Sequence, residues 1–183
     1  MDELLSLFQP EPWNRFTAGL VAAMFVARLL DFLSTWIVTP KLELEANPLM
    51  RRMRWGRMAL INLPLLGLPF LHAGLAITFI VTSLLAAGSN FIGAALAKGM
   101  GERRQLESQL RALREIGLLG ALAMNSTGAL IICLGGGFLM ALAERTENHA
   151  WWGGLGVVMF GLVGLVHYNI AIVRLSRRAG KQS

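Results

Sequence analysis

Residues 58–97 form a run of 40 residues that contains no Asp, Glu, Lys or Arg. A membrane-spanning helix needs about 20 predominantly apolar residues, so this run is too long for one span and has the length of two. Pro64, Gly67 and Pro69 lie in its first half, and the break between the two helices is predicted at residues 71–74. The run therefore predicts a membrane protein with two consecutive spans.

Three further apolar runs extend this prediction to an all-α integral membrane bundle. About five transmembrane helices are expected, at residues 16–38, 57–71, 74–97, 117–143 and 152–173, and the second of them is short. Residues 1–15 form an N-terminal segment and residues 174–183 a basic tail. Residues 98–116 place Leu106, Leu110 and Leu113 on one helical face among charges, which is typical of an amphipathic segment at a membrane surface.

The Lys and Arg residues predict the orientation of this bundle. With five spans, residues 40–57, 98–116 and 174–183 share one side of the membrane and hold 14 of the 17 Lys and Arg residues. Cytoplasmic loops carry the excess of these residues. We therefore expect the N-terminus outside and the C-terminus in the cytoplasm, in a multi-pass protein of the cell (inner or cytoplasmic) membrane. Because the net charge of +6 resides in loops between spans, we expect no nucleic acid partner.

Every predicted helix carries a polar residue at a similar depth. Counted at 1.5 Å per residue, these residues lie about 8 to 13 Å from the cytoplasmic ends of their helices. They are Asp31 on the first helix, then Asn62, Asn90 and Asn125, and His167 with Asn169 on the last; Arg28 lies one turn deeper than Asp31, and Ser34 and Thr35 one turn shallower. Polar groups in spans face the bundle interior, so we expect a polar pocket that opens toward the cytoplasmic leaflet.

Carboxylates give this pocket its candidate chemistry. Asp31 and Glu45 are the candidate acid and base, or the ligands of a divalent cation, and His167 is the candidate proton carrier. Asn47, two residues after Glu45, belongs to a short acidic segment, residues 41–48, that would form the rim of the pocket. Such a site suits a lipid headgroup or a lipid-linked substrate.

Each of these residues also has a purely structural interpretation. Arg28 and Asp31 are three residues apart on one helix, so they suit an ion pair that serves only to neutralise both charges. Asn62, Asn90 and Asn125 suit hydrogen bonds between helices, worth about 0.6 kcal/mol each. The coincidence of depth across five helices is what favours a shared site.

Three classes of function follow. The first is the lipid-headgroup or cation site described above, with membrane lipids as partners. The second is an oligomeric transporter or channel for an ion or small polar solute, since a single five-helix chain has no inverted repeat to alternate between two states. The third is an accessory or assembly subunit, in which the polar layer is structural and residues 102–116 bind a membrane protein partner.

A family resemblance also points to the same residues. Asp31, Ser34 and Thr35, followed by Glu45, Asn47 and Pro48, resemble the Asp-x-x-Ser/Thr-Thr and Glu-x-Asn-Pro signature of a family of small prokaryotic membrane proteins of unknown function. Further similar positions are Asn62, Asn90, Phe91, Gly101, Glu102 and Asn169, so that the resemblance covers about residues 25–173. It implies that Asp31, Thr35, Glu45 and Asn47 form a common site, and it implies no activity. The resemblance does not extend to His167, whose role rests on depth alone.

Overall fold

A computed structural model of the chain describes residues 13–40, 48–96, 102–143 and 148–179. Within these ranges the backbone is helical apart from short turns, and no strand occurs. The helices are α1 (Arg15–Val38), α2 (Pro48–Asn62), a 3₁₀ helix (Leu63–Gly67), α3 (Leu68–Leu71), α4 (Ala73–Leu96), α5 (Glu102–Leu142) and α6 (His149–Ala179). The predicted all-α fold is thereby confirmed.

Four of these helices, α1, α4, α5 and α6, contain stretches long and apolar enough to cross a membrane. A fifth apolar stretch, Trp55–Leu71, is shorter and includes the 3₁₀ helix and α3. The protein is therefore a multi-pass membrane protein built as a bundle of about five helices, with a short second one as the sequence predicts. We call Trp55–Leu71 the broken span.

The contacts of the broken span show that it crosses the bundle. The ring of Trp55 at its beginning packs edge-on against Phe32, near the end of α1, whereas Phe70 stacks on Trp13, just before α1 begins. The broken span thus runs antiparallel to α1. Because a 3₁₀ helix rises about 2.0 Å per residue rather than 1.5 Å, its 17 residues reach about 28 Å, close to the thickness of a hydrocarbon core.

Side-chain hydrogen bonds give the direction of the remaining helices. Thr35 and Asn90 are bonded, and so are Arg28 and Ser83, each seven residues earlier, so α1 and α4 run parallel. The Thr78 and Thr82 hydroxyls donate to the carbonyls of Trp152 and Gly156, so α4 and α6 also run parallel. Helix α5 runs antiparallel to α6. The ends of α1 and α4 therefore lie at one end of the bundle, which we call the basic end because the Lys- and Arg-rich segments connect helices there.

A glycine divides α5 into two parts. Gly117 has φ of 77° and ψ of 162°, a left-handed backbone conformation that residues with a Cβ rarely adopt. It separates residues 102–116 from the spanning part, residues 118–142. In the first part Leu110 and Leu113 are each only 9% exposed, and Leu106 is half-buried. The predicted apolar face of the amphipathic segment is therefore a buried face, and the predicted start of the fourth span lies at the kink.

Glycines also set the closest approach of α5 and α6. A Cβ at Gly136 would lie 2.7 Å from the Gly154 carbonyl oxygen, and a Cβ at Gly154 would lie 2.8 Å from the Gly136 carbonyl oxygen. By contrast, a Cβ at Gly135 or Gly137 would meet no atom within 4 Å. The two backbones therefore approach closely at this pair of glycines, as they also do at Gly161, where a Cβ would lie 3.1 Å from the Ala129 carbonyl oxygen, and the other glycines of the triplet face outward.

Candidate functional site

Arg28 lies at the centre of a polar cluster inside the bundle. Its Nη1 donates to Asp31 Oδ2 on the same helix at 2.9 Å and to Ser83 Oγ on α4 at 2.9 Å. Its Nη2 donates to Asn62 Oδ1 at the end of α2. One guanidinium thus joins α1, α2 and α4, and we call Arg28, Asp31, Asn62 and Ser83 the Arg28 cluster.

The local structure of α2 positions Asn62. Its side-chain Nδ2 donates to the Met58 carbonyl oxygen, one turn earlier, at 2.7 Å, so the amide oxygen points away from α2 toward Arg28. Asn62 is also the last residue of α2, directly before the 3₁₀ helix that contains Pro64. The bond to Arg28 therefore holds the broken span at the point where its regular α-helix ends.

The Arg28 guanidinium is not fully satisfied by these contacts. Its Nε atom is buried and has no hydrogen-bond partner among the described residues. The Arg28 and Asp31 side chains are 22% and 20% exposed. An unpartnered buried donor is uncommon in folded proteins, where more than 90% of such groups are paired, and it calls for a water, an ion or a ligand group.

A second set of hydrogen bonds continues from Asp31 toward the basic end. The Ser34 and Thr35 hydroxyls each donate to the Asp31 carbonyl oxygen at 2.9 Å. Asn90 Nδ2 on α4 donates in turn to both hydroxyls, at 3.3 Å to Ser34 and 3.1 Å to Thr35. Ser34 is fully buried. Four predicted residues on two helices are thus brought together within two turns of Arg28.

The remaining predicted residues lie elsewhere in the bundle. Asn125 Nδ2 on α5 donates to Asn169 Oδ1 on α6 at 2.8 Å, and among the described residues no hydrogen bond joins this pair to the Arg28 cluster. His167 is half-buried and packs edge-on against the neighbouring Tyr168 ring. The single five-helix layer expected from depth alone is therefore divided into two clusters, one on each side of α4.

Glu45 and Asn47, and with them the predicted rim, lie outside the described residues. Within the described ranges, no group of three or more His, Cys, Asp or Glu side chains is placed to hold a metal ion. Arg28 already neutralises Asp31 at 2.9 Å, which disfavours a divalent cation at the same carboxylate. Asp31 therefore forms an ion pair with Arg28 and retains acceptor positions for further hydrogen bonds.

Ser83 is the member of the Arg28 cluster that sequence reasoning missed. It is 2% exposed and lies seven residues before Asn90, which places both side chains on the same face of α4. This seven-residue spacing, which equals about two helical turns, is the feature of the sequence that could have identified Ser83. A count of depth along the helix overlooks it, because Ser83 lies about 10 Å farther from the basic end than Asn90.

The chain was compared with protein-family models, with curated proteins and with solved structures. No match was found in any of the three comparisons. Its function is therefore inferred from the geometry of its own residues.

Proposed function

We propose that this chain is a multi-pass protein of the cytoplasmic membrane that binds a small polar ligand group at Arg28 and Asp31. The observation that carries the proposal is the buried Arg28 Nε, which has no partner among the described residues although Nη1 and Nη2 are bonded. An arginine inside a membrane is costly, and such residues mark sites of ligand or ion passage more often than they mark plain packing.

The chemistry of the cluster defines the ligand class. Arg28 Nε requires an acceptor oxygen, such as one from a phosphate or a carboxylate. Asp31 has about four acceptor positions, of which Arg28 takes one through Oδ2, so it also suits a ligand that carries a donor. Because the two charges cancel, the site suits a zwitterionic or neutral polar group better than a bare ion. A lipid headgroup and a free solute both offer this chemistry.

The ligand can be identified through a substitution that preserves the charge. Arg28→Lys retains one positive charge but lacks Nε and the planar fork of donors. We expect it to lower the amount of co-purified ligand at least about tenfold, as measured by native mass spectrometry. Ligand that partitions into organic solvent would indicate a lipid, and ligand that remains in water would indicate a solute.

Arg57→Lys is the matched control, because Arg57 is exposed on α2 and lies outside the cluster. It is expected to retain the ligand of the unaltered protein. Equal occupancy in Arg28→Lys and Arg57→Lys, with both proteins folded, would show that Arg28 holds no ligand. The Arg28 cluster would then be a structural connection between helices.

Transport is a second candidate, and one observation favours it. The Arg28 cluster includes Asn62, the residue at which the broken span changes from an α-helix to a 3₁₀ helix. Discontinuous helices beside intramembrane charges are a recurring construction of transporter binding sites. Uptake of the identified solute into vesicles, abolished in Arg28→Lys, would favour transport over retention of a lipid.

We also propose that the basic end of the bundle faces the cytoplasm. The charge bias of the loops supports this orientation, with the N-terminus outside. A fluorescent protein that folds only in the cytoplasm should therefore fluoresce when fused after Ser183 and stay dark when fused before Met1. The opposite pattern would reverse the orientation and place the Arg28 cluster nearer the outer leaflet.

A further inference from the structure

A cavity of about 570 Å³ lies between α4, α5 and α6. Its wall is predominantly apolar and includes Leu84 and Ile92 on α4, Met124 and Ile132 on α5, and Phe160 on α6. Ser83 and Asn90 lie on the opposite face of α4, toward α1. The cavity is therefore separate from the Arg28 cluster, and helix α4 forms a wall of both.

The cavity lies within the hydrocarbon region of one leaflet. At 1.5 Å per residue, its α4 wall extends from about 6 to about 18 Å from the end of α4 at the basic end. The core of a bilayer is about 30 Å thick, so these depths belong mostly to the leaflet nearer the basic end. The solvent at this depth is lipid acyl chain rather than water.

Polar groups occur on the same wall, toward the basic end. Ser89 lines the cavity about 10 Å from the end of α4, and Asn125 lines it about 10 Å from the start of the spanning part of α5. Tyr168 also lines the cavity, at the depth of Asn125, because its neighbour Asn169 is bonded to Asn125. Farther out, Arg114 and Arg174 are exposed. The deep half of the wall is therefore apolar, and its polar groups lie in the shallow half among Ile92 and Met124, which suits the tail and the ester linkage of a phospholipid.

We propose that this cavity is a binding site for an acyl chain of a phospholipid from the leaflet at the basic end, with the ester region beside Ser89, Asn125 and Tyr168. An apolar wall that carries its polar groups near the depth of the ester linkages suits a lipid chain better than a helix of a second copy. The proposal does not depend on the ligand of the Arg28 cluster.

Two glycines allow the cavity to be filled without disturbing helix packing. Gly88 and Gly128 line the cavity, and a Cβ at either position would meet no atom within 4 Å. The double variant Gly88→Leu, Gly128→Leu therefore places two side chains in the space proposed for the lipid. Gly93→Leu, Gly135→Leu is the matched control on the same two helices, because both glycines are equally open and neither lines the cavity.

The probe is a phosphatidylglycerol with a photoactivatable diazirine on its acyl chain, in vesicles of phosphatidylethanolamine and phosphatidylglycerol. After illumination, adducts on Ile132 and Phe160, which are half-buried in the cavity wall, report the cavity, and adducts on Phe138, which is 64% exposed on α5, report the surrounding lipid. We expect the ratio of cavity to Phe138 adducts to fall at least fivefold in the filled variant and to stay unchanged in the control variant.

The proposal is overturned if the filled and control variants give the same ratio, or if the unaltered protein yields adducts on Phe138 alone. It is also overturned if the unaltered protein elutes as a dimer and the filled variant as a monomer, which would make the cavity an interface between copies of the chain. Helical content and elution volume, measured for each variant, separate loss of the lipid from loss of the fold.

Discussion

Asp31→Asn is expected to lower the free energy of unfolding by about 3 kcal/mol. The substitution leaves the Arg28 guanidinium without its counter-charge, although the hydrogen bonds to Ser83 and Asn62 remain. Removing one partner of a buried ion pair typically costs 3 to 5 kcal/mol, and an unpaired arginine at the centre of a membrane costs a similar amount. Reversible unfolding by sodium dodecyl sulfate in mixed micelles, followed by circular dichroism, measures the change.

A double variant distinguishes charge imbalance from general damage. Arg28→Met, Asp31→Leu removes both charges at similar volume and is expected to recover most of the stability that Asp31→Asn loses. Ser126→Ala, at an exposed position of the spanning part of α5, should change stability by less than about 0.5 kcal/mol. If Asp31→Asn were as stable as the unaltered protein, the charge of Asp31 would not be needed to compensate that of Arg28. The ion pair would then contribute nothing measurable to the free energy of unfolding.

Gly136→Leu is expected to destabilise the contact between α5 and α6 by about 3 kcal/mol, because its side chain would be built 2.7 Å from the Gly154 carbonyl oxygen. A backbone atom cannot rotate away as a side chain does, so the two helices must separate. Membrane helices associate largely through such close packing of small residues. The same unfolding assay measures the loss, and Gly154→Leu should give a similar value.

The glycine triplet supplies its own controls. Gly135→Leu and Gly137→Leu change neighbouring residues of the same helix by the same side chain, yet both positions are open. They should remain within about 0.5 kcal/mol of the unaltered protein. Equal losses in all three variants would mean that glycine is needed for a reason other than contact with α6.

The helices and their order were predictable because hydropathy and loop charge vary along the chain on the scale of a whole span. The position of Gly117 was predictable for the same reason, since the charged residues of the amphipathic segment end there. The depth of each residue along its helix could also be counted from the sequence, and this count placed Asp31 and Asn62 at similar depths. These are one-dimensional properties of the sequence.

The rotation of each helix about its own axis could not be predicted from the sequence. This rotation decides which residues form the site. Asn90 and Ser89 are neighbours in the chain, yet one is bonded to Ser34 and Thr35 and the other lines the cavity. Likewise, depth placed Asn125 in the same layer as Asp31, although Asn125 is bonded to Asn169 on the far side of α4. Successive residues of an α-helix point in directions that differ by 100°. Because apolar residues are spread evenly around these helices, the sequence does not indicate which of these directions faces the bundle interior.

The broken span has a consequence for the surrounding bilayer. It reaches about 28 Å, whereas α1 and α4, with 24 residues each, reach about 36 Å. The broken span therefore matches a hydrocarbon core of about 30 Å, whereas α1 and α4 exceed it and must tilt or extend into the headgroup region. The flank formed by Trp55–Leu71 thus fixes the thickness of bilayer that the bundle fits without mismatch, and each ångström of departure from it costs fractions of a kcal/mol.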